Sequence, residues 1–194
     1  MYELLYFSGG AGAPFTRSET YDQDGTLYTR KGEPVRLLGQ VREVMRELYC
    51  ETDTWGHTQI GISSRTDQPE WAMELLEKFT ITTNTTTSAE TPDSSFRLKD
   101  VIQGPIEIGG GSKAAHFQRI SKKTGIAMED ILFFDNERGN CQDVSRLGVV
   151  VAYCPDGVTK KIWKKALEAF PVAAGQVVAD ENTFYGDGYQ RTQW

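Results

Sequence analysis

Ile131-Leu132-Phe133-Phe134 is a short apolar run that stops at Asp135-Asn136-Glu137, and Gly148 opens a second run, Val149-Val150-Val151-Ala152-Tyr153. Both are the length of a strand and apolar at consecutive positions, as a strand buried on two faces must be. Helical patterns lie between them and after Val158. Apolar runs alternating with helices predict an α/β fold, a parallel sheet with helices on both faces.

The same alternation extends toward the N-terminus. Lys113–Lys123 reads as a helix, with Ser112 as its cap after Gly109-Gly110-Gly111 and Gly125 as its stop. Val101–Ile108 predicts a short strand interrupted by Gly104-Pro105. Gln59–Ser63 is another strand candidate, and Pro69 falls in the first turn of a helix that Thr66 or Asp67 would cap. Trp71, Leu75, Leu76 and Phe79 give that helix its apolar face, as Val41, Val44, Met45 and Leu48 do for an earlier one. Residues 80–95 are dense in Thr, Ser and Asn and predict a surface loop or insertion. The organisation expected is an irregular segment over 1–38, one core over 39–170 with an insertion near 80–95, and a tail over 171–194.

Composition narrows the function. A chain of 194 residues suits one domain with a tail or insertion. Hydrophobic residues make up 39% and charged residues 25%, ordinary globular usage. The net charge of -6, from 21 basic and 27 acidic residues, argues against a nucleic-acid or anionic-membrane surface. No apolar run approaches the roughly 20 residues of a membrane span. Cys50, Cys141 and Cys154 form no CxxC, so disulfide and zinc scaffolds are poor readings and a reducing, cytoplasmic compartment is expected. Asn84-Thr85-Thr86 fits a glycosylation sequon, and without a signal peptide chance explains it.

Ligands of an open parallel sheet bind outside the carboxyl ends of its strands. Ser63-Ser64-Arg65-Thr66 follows one such end, Asp135-Asn136-Glu137 another, and Lys113 starts the helix after the glycine run. A hydroxyl, a cation and a carboxylate converging there suit a phosphate ester and a divalent metal. Each has a plainer role: a strand-end Ser caps helices, and a helix-start Lys is commonly solvated. Lys160, Lys161, Lys164 and Lys165 form a basic cluster, either a solvated helix face or a contact for a phosphorylated partner.

Ile-Gly-Ile-Ser-Ser-Arg-Thr (60–66), Gly-Ser-Lys-Ala-Ala-His-Phe (111–117), Lys-Thr-Gly (123–125), Phe-Phe-Asp-Asn-Glu-Arg-Gly-Asn (133–140), Asp-Val-Ser-Arg-Leu-Gly-Val (143–149) and Asp-Gly-Val-Thr (156–159) occur in that order. Together they resemble the magnesium-dependent phosphatase family of the haloacid dehalogenase superfamily, over roughly 24–170. The resemblance implies a three-layer Rossmann-like domain that hydrolyses phosphate monoesters, phosphotyrosine or sugar phosphates, through an aspartyl-phosphate. One aspartate attacks phosphorus and a second, two residues on, serves as acid and base. By the same resemblance Ser64 and Lys113 are the catalytic phosphate-binding groups, Arg65 assists substrate binding, and Asp135 and Asn136 stand at the Mg2+ position. The implied partners are phosphorylated small molecules or phosphoproteins.

Two departures matter. The family commonly has Asp-Asp where this chain has Asp135-Asn136, and an amide oxygen supplies no charge to magnesium. Asp135 either compensates or caps the following helix. The family's Asp-x-Asp-x-Thr ends an apolar strand, whereas Asp22-Gln23-Asp24-Gly25-Thr26 follows the polar Thr16–Tyr21. Burying Arg17 and Glu19 would cost several kcal/mol each unless paired. The expectation is that Asp22 and Asp24 are a decoy on a loop away from Ser64. Met1-Tyr2-Glu3-Leu4 then resembles the segment just after the true motif, so the chain is expected to start past its catalytic aspartates, to lack the central strand and to have no phosphatase activity. The alternative is a non-catalytic phosphate-binding or protein-interaction domain.

Overall fold

The computed structural model describes residues 12–17, 25–83 and 94–180. The first elements are strands of two residues each, β1 (Thr16–Arg17), β2 (Leu27–Tyr28) and β3 (Pro34–Val35), which pair antiparallel in that order. The segment expected to be irregular therefore carries a small sheet. It is fastened by Phe15, Leu27 and Val35, each at most 1% exposed.

Helix α1 (Val41–Cys50) buries Val41, Val44 and Met45, and the four-residue α2 (Thr52–Trp55) follows it. Strand β4 (Ile62–Ser64) precedes α3 (Pro69–Lys78), which buries Ala72, Leu75 and Leu76. Its N-cap is Gln68, not Thr66 or Asp67; the Thr66 hydroxyl instead accepts the Gln68 N–H at 3.0 Å. Strands β5 (Thr80–Thr82) and β6 (Ser95–Arg97) pair antiparallel where a loop was expected, because Ile81 and Phe96 are buried opposite each other. Residues 84–93 of that stretch, with the sequon at Asn84, lie outside the described residues.

Strand β7 (Ile106–Ile108) then runs parallel to β4. Helix α4 (Lys113–Thr124) begins as the sequence predicts, with the Ser112 hydroxyl accepting the Ala115 N–H at 3.1 Å. Such a cap contributes about 1 kcal/mol. It ends at Gly125, whose φ of 75° is a left-handed conformation that suits glycine. Strands β8 (Leu132–Asp135), β9 (Val150–Tyr153) and β10 (Val177–Ala179) form a parallel sheet with β9 in the middle. Helices α5 (Arg138–Ser145) and α6 (Lys160–Ala169) complete the fold.

Successive strand residues face opposite ways, and β9 shows the result. Val149 and Val151 pack with Phe117, Cys141 and Val144, while Ala152 packs with Cys154, Ile162 and Ala166. Helices α4 and α5 thus cover one face of this sheet and α6 the other, an α/β layering as predicted. Among the described residues no strand joins β4 to β8, and the parallel strands fall into two sheets, β4-β7 and β10-β9-β8. No helix among the described residues is long and apolar enough to cross a membrane.

Candidate functional site

The site forms where the carboxyl ends of β4 and β8 meet the start of α4. Lys113 is the joint: its Nζ donates to the backbone carbonyl of Ser63 at 2.6 Å and stands 3.2 Å from Asp135 Oδ2. The ammonium also sits 5.2 Å from the centre of the Phe133 ring. Only 5% of Lys113 is exposed, so the solvated role open to a helix-start lysine is excluded. Burial pushes its pKa below the ordinary 10.5, and the Asp135 charge opposes that push.

Asp135 is enclosed by donors. Its Oδ1 accepts the Glu137 N–H at 2.7 Å, and Asn140 Nδ2 lies 3.2 Å from both carboxylate oxygens. Asp135 thus bonds the backbone N–H of Glu137, the N-cap of α5, while its other oxygen faces Lys113. Asn140 further donates to Glu137 Oε2 at 3.0 Å, and Glu137 pairs with Arg65 Nη2 at 2.7 Å. Arg65 and Glu137 are exposed, so this pair closes the mouth of the cluster rather than its floor.

Lys113, Asp135 and Arg65 are thus brought together, and the adjacent Asn136 is exposed at the same strand end. Ser64 ends β4 half-buried, its carbonyl accepting the Gly109 N–H at 3.0 Å. The serine that α4 grips is its neighbour: Ser63 bonds Lys113 through its carbonyl and His116 Nδ1 through its hydroxyl, 3.2 Å away. Ser63, His116 and Asn140 were missed as site residues. The usable signals were the helical spacing from Lys113 to His116 and the amide of Asn140 one turn into α5. Asp22 and Asp24 lie outside the described residues. The strands on either side of them, β1 and β2, pair with each other in the small antiparallel sheet.

Asp135 and Asn136 offer a carboxylate and an amide oxygen, the hard oxygen donors magnesium takes. Among the described residues no group of three or more His, Cys, Asp or Glu could hold a metal. The pair fits magnesium in kind and could supply part of a shell to an ion that keeps several waters.

A buried lysine and a buried carboxylate meet at strand ends of an α/β fold, the end at which such sheets bind their ligands. Residues 5–172 match the family described as Acid Phosphatase. The chain is 34% identical over 164 residues to human magnesium-dependent phosphatase 1, covering 82% of this chain and 76% of that protein. It is 26% identical over 145 residues to an HAD-like hydrolase superfamily protein of Schizosaccharomyces pombe, covering 75% and 74%. The chain belongs to the magnesium-dependent phosphatase family of haloacid-dehalogenase-like proteins.

Proposed function

We propose that this chain binds phosphate monoesters, phosphotyrosine or sugar phosphates, at the junction of β4, α4 and β8, and does not itself hydrolyse them. The observation that carries this is the buried ammonium of Lys113, 2.6 Å from the Ser63 carbonyl and 3.2 Å from Asp135. An ammonium has three N–H groups. Two point to these partners and the third is the donor for a phosphoryl oxygen. A dianionic ligand restores the charged form that burial disfavours, so binding and protonation of Lys113 reinforce each other. The Ser64 hydroxyl donates to the same phosphoryl group, and Arg65 moves from Glu137 to the ester oxygens. The exposed mouth at Arg65 and Glu137 suits a large phosphorylated partner as well as a small one.

Magnesium dependence, named for the human relative, is carried to this chain as part of the proposal, with Asp135 and Asn136 as its protein ligands. When bound, the ion neutralises phosphoryl charge. The reading without turnover is supported by β1 and β2, which pair with each other and not with β4 or β8. Thr16–Arg17, the described part of the polar segment before Asp22, thus pairs in the small antiparallel sheet. On this reading the family's nucleophile-bearing strand would pair with β4 and β8, each of which has one described strand partner.

The test combines calorimetric titration with inorganic phosphate, with and without magnesium, and hydrolysis of p-nitrophenyl phosphate. Phosphate binding that disappears in Lys113→Ala, with no ester cleavage above background, is expected. Cleavage lost in Asp22→Asn would overturn the reading without turnover, and no phosphate binding would overturn the site.

A further inference from the structure

His116 is fully buried on α4, one turn beyond Lys113. Its Nε2 lies 3.3 Å from the carbonyl of Gly110, and its Nδ1 lies 3.2 Å from the Ser63 hydroxyl. A carbonyl only accepts, so Nε2 donates to Gly110, and Nδ1 shares the second bond with the Ser63 hydroxyl. One imidazole therefore ties β4 to the glycine run that leads into α4.

That run has little else to hold it. A Cβ placed on Gly109, Gly110 or Gly111 would meet nothing within 4 Å, and φ is 142° at Gly109 and 105° at Gly111. Its other described tie to β4 is the Gly109 N–H to the Ser64 carbonyl at 3.0 Å. Residues three apart share a helix face, so α4 presents Lys113 and His116 to the same strand. Ser63 is then gripped twice, by Lys113 at its carbonyl and by His116 at its hydroxyl. Two contacts one turn apart fix both the rotation and the height of a helix end.

We infer that His116 is a positioning residue for the phosphate site: it clamps the glycine run and β4 together so that the Lys113 ammonium is held at the strand ends. This rests on the phosphate-binding reading above. His116 touches no reacting atom, and its effect passes through Lys113.

The experiment uses the full chain and three variants, each kept below its own unfolding temperature. His116→Phe keeps the ring volume and removes both polar contacts. His116→Gln restores an amide N–H toward Gly110, and Ser63→Ala cuts only the arm to β4. Competitive acetylation read by mass spectrometry reports exposure of Lys113 against Lys164, whose side chain is 79% exposed. Titration with inorganic phosphate reports binding.

In His116→Phe, Lys113 acetylation rises and phosphate affinity falls about tenfold, as for loss of groups that orient a ligand-binding side chain. His116→Gln recovers part of both. In a Lys113→Ala background, His116→Phe causes no further loss of affinity. Should His116→Phe not fold, Ser63→Ala carries the same acetylation readout. A variant that melts earlier while Lys113 stays protected and phosphate binds as before overturns the inference. Raised Lys113 acetylation in a chain that binds no phosphate upholds the clamp and removes the phosphate reading instead.

Discussion

Lys113 Nζ and Asp135 Oδ2 are 3.2 Å apart, and neither side chain is a tenth exposed. One charge comes from a helix start and the other from a strand end, so their pairing fixes the angle between α4 and β8. It also concentrates two opposite charges where water is scarce. Desolvation costs such a pair about as much as attraction returns, so its retention points to a role in the site more than to stability.

Removing one partner is a different matter from removing both. Lys113→Met leaves the Asp135 carboxylate buried with the N–H donors of Glu137 and Asn140 but no cation. We expect a loss of about 3 kcal/mol, read by urea unfolding, and a smaller one in Lys113→Met with Asp135→Leu. The pH dependence has a definite sign. The folded pKa of Lys113 lies below its ordinary 10.5, so between the two values the unfolded chain holds the extra proton. The stability difference between wild type and Lys113→Met therefore grows as pH rises toward 10.5 and then levels. A difference that shrinks over this window would mean that burial is not the dominant influence on Lys113.

Arg65 and Glu137 behave as a surface pair, with side chains 42% and 58% exposed. Glu137→Gln should change stability by under about 1 kcal/mol. Its effect on binding should be clearer, because it removes the carboxylate that competes with phosphate for Arg65. We expect phosphate to bind about threefold tighter, the equivalent of ~0.6 kcal/mol. The gain should fade in molar salt, where the screening length is about 3 Å. Unchanged affinity at low salt would show that Arg65 does not reach the ligand.

Strands β8 and β9 and the bounds of α4 were legible because each rests on a strong local signal: consecutive apolar residues, a serine cap, a left-handed glycine; β10, at Val177–Ala179 in the stretch expected to be a tail, was not. Lys113 and Asp135 were legible for the same reason, since strand and helix ends position them. The grip of α4 on Ser63 was not. A strand turns successive residues to opposite faces, and which face meets α4 depends on tertiary packing. The two-residue strands β1, β2 and β3 are too short to show a period, and β5 and β6 each bury one apolar residue in a polar setting. His116 shares a helix face with Lys113 by its spacing, but that spacing does not say that Ser63 and Gly110 are its partners.

The thiols divide by burial. Cys141 and Cys154 both donate to the Asp135 carbonyl, at 3.6 and 3.5 Å, and burial pushes each up to about 12. Alkylation proceeds through the thiolate. At pH 8 iodoacetamide should therefore modify exposed Cys50 and leave the other two until the chain is unfolded. Mass spectrometry of the folded protein should find one adduct. Three adducts before unfolding would show that α5 and β9 open readily beneath the site.

The charges around the site also set how it meets magnesium. Lys113 offsets Asp135, and Arg65 offsets Glu137, so the four groups sum to no net charge. A divalent cation therefore gains little attraction there until phosphate arrives. Asn136 adds an oxygen without charge, and it is exposed, so an aspartate in its place would stay ionised at little desolvation cost. One added carboxylate at about 4 Å from a unit charge is worth ~1–4 kcal/mol between bulk water and a protein surface. We accordingly expect Asn136→Asp to bind magnesium about tenfold tighter by calorimetry, ~1.4 kcal/mol, with the larger gain when phosphate is absent. Equal affinities in the two proteins would show that residue 136 lies outside the ion's coordination shell and that Asp135 alone supplies the protein's share.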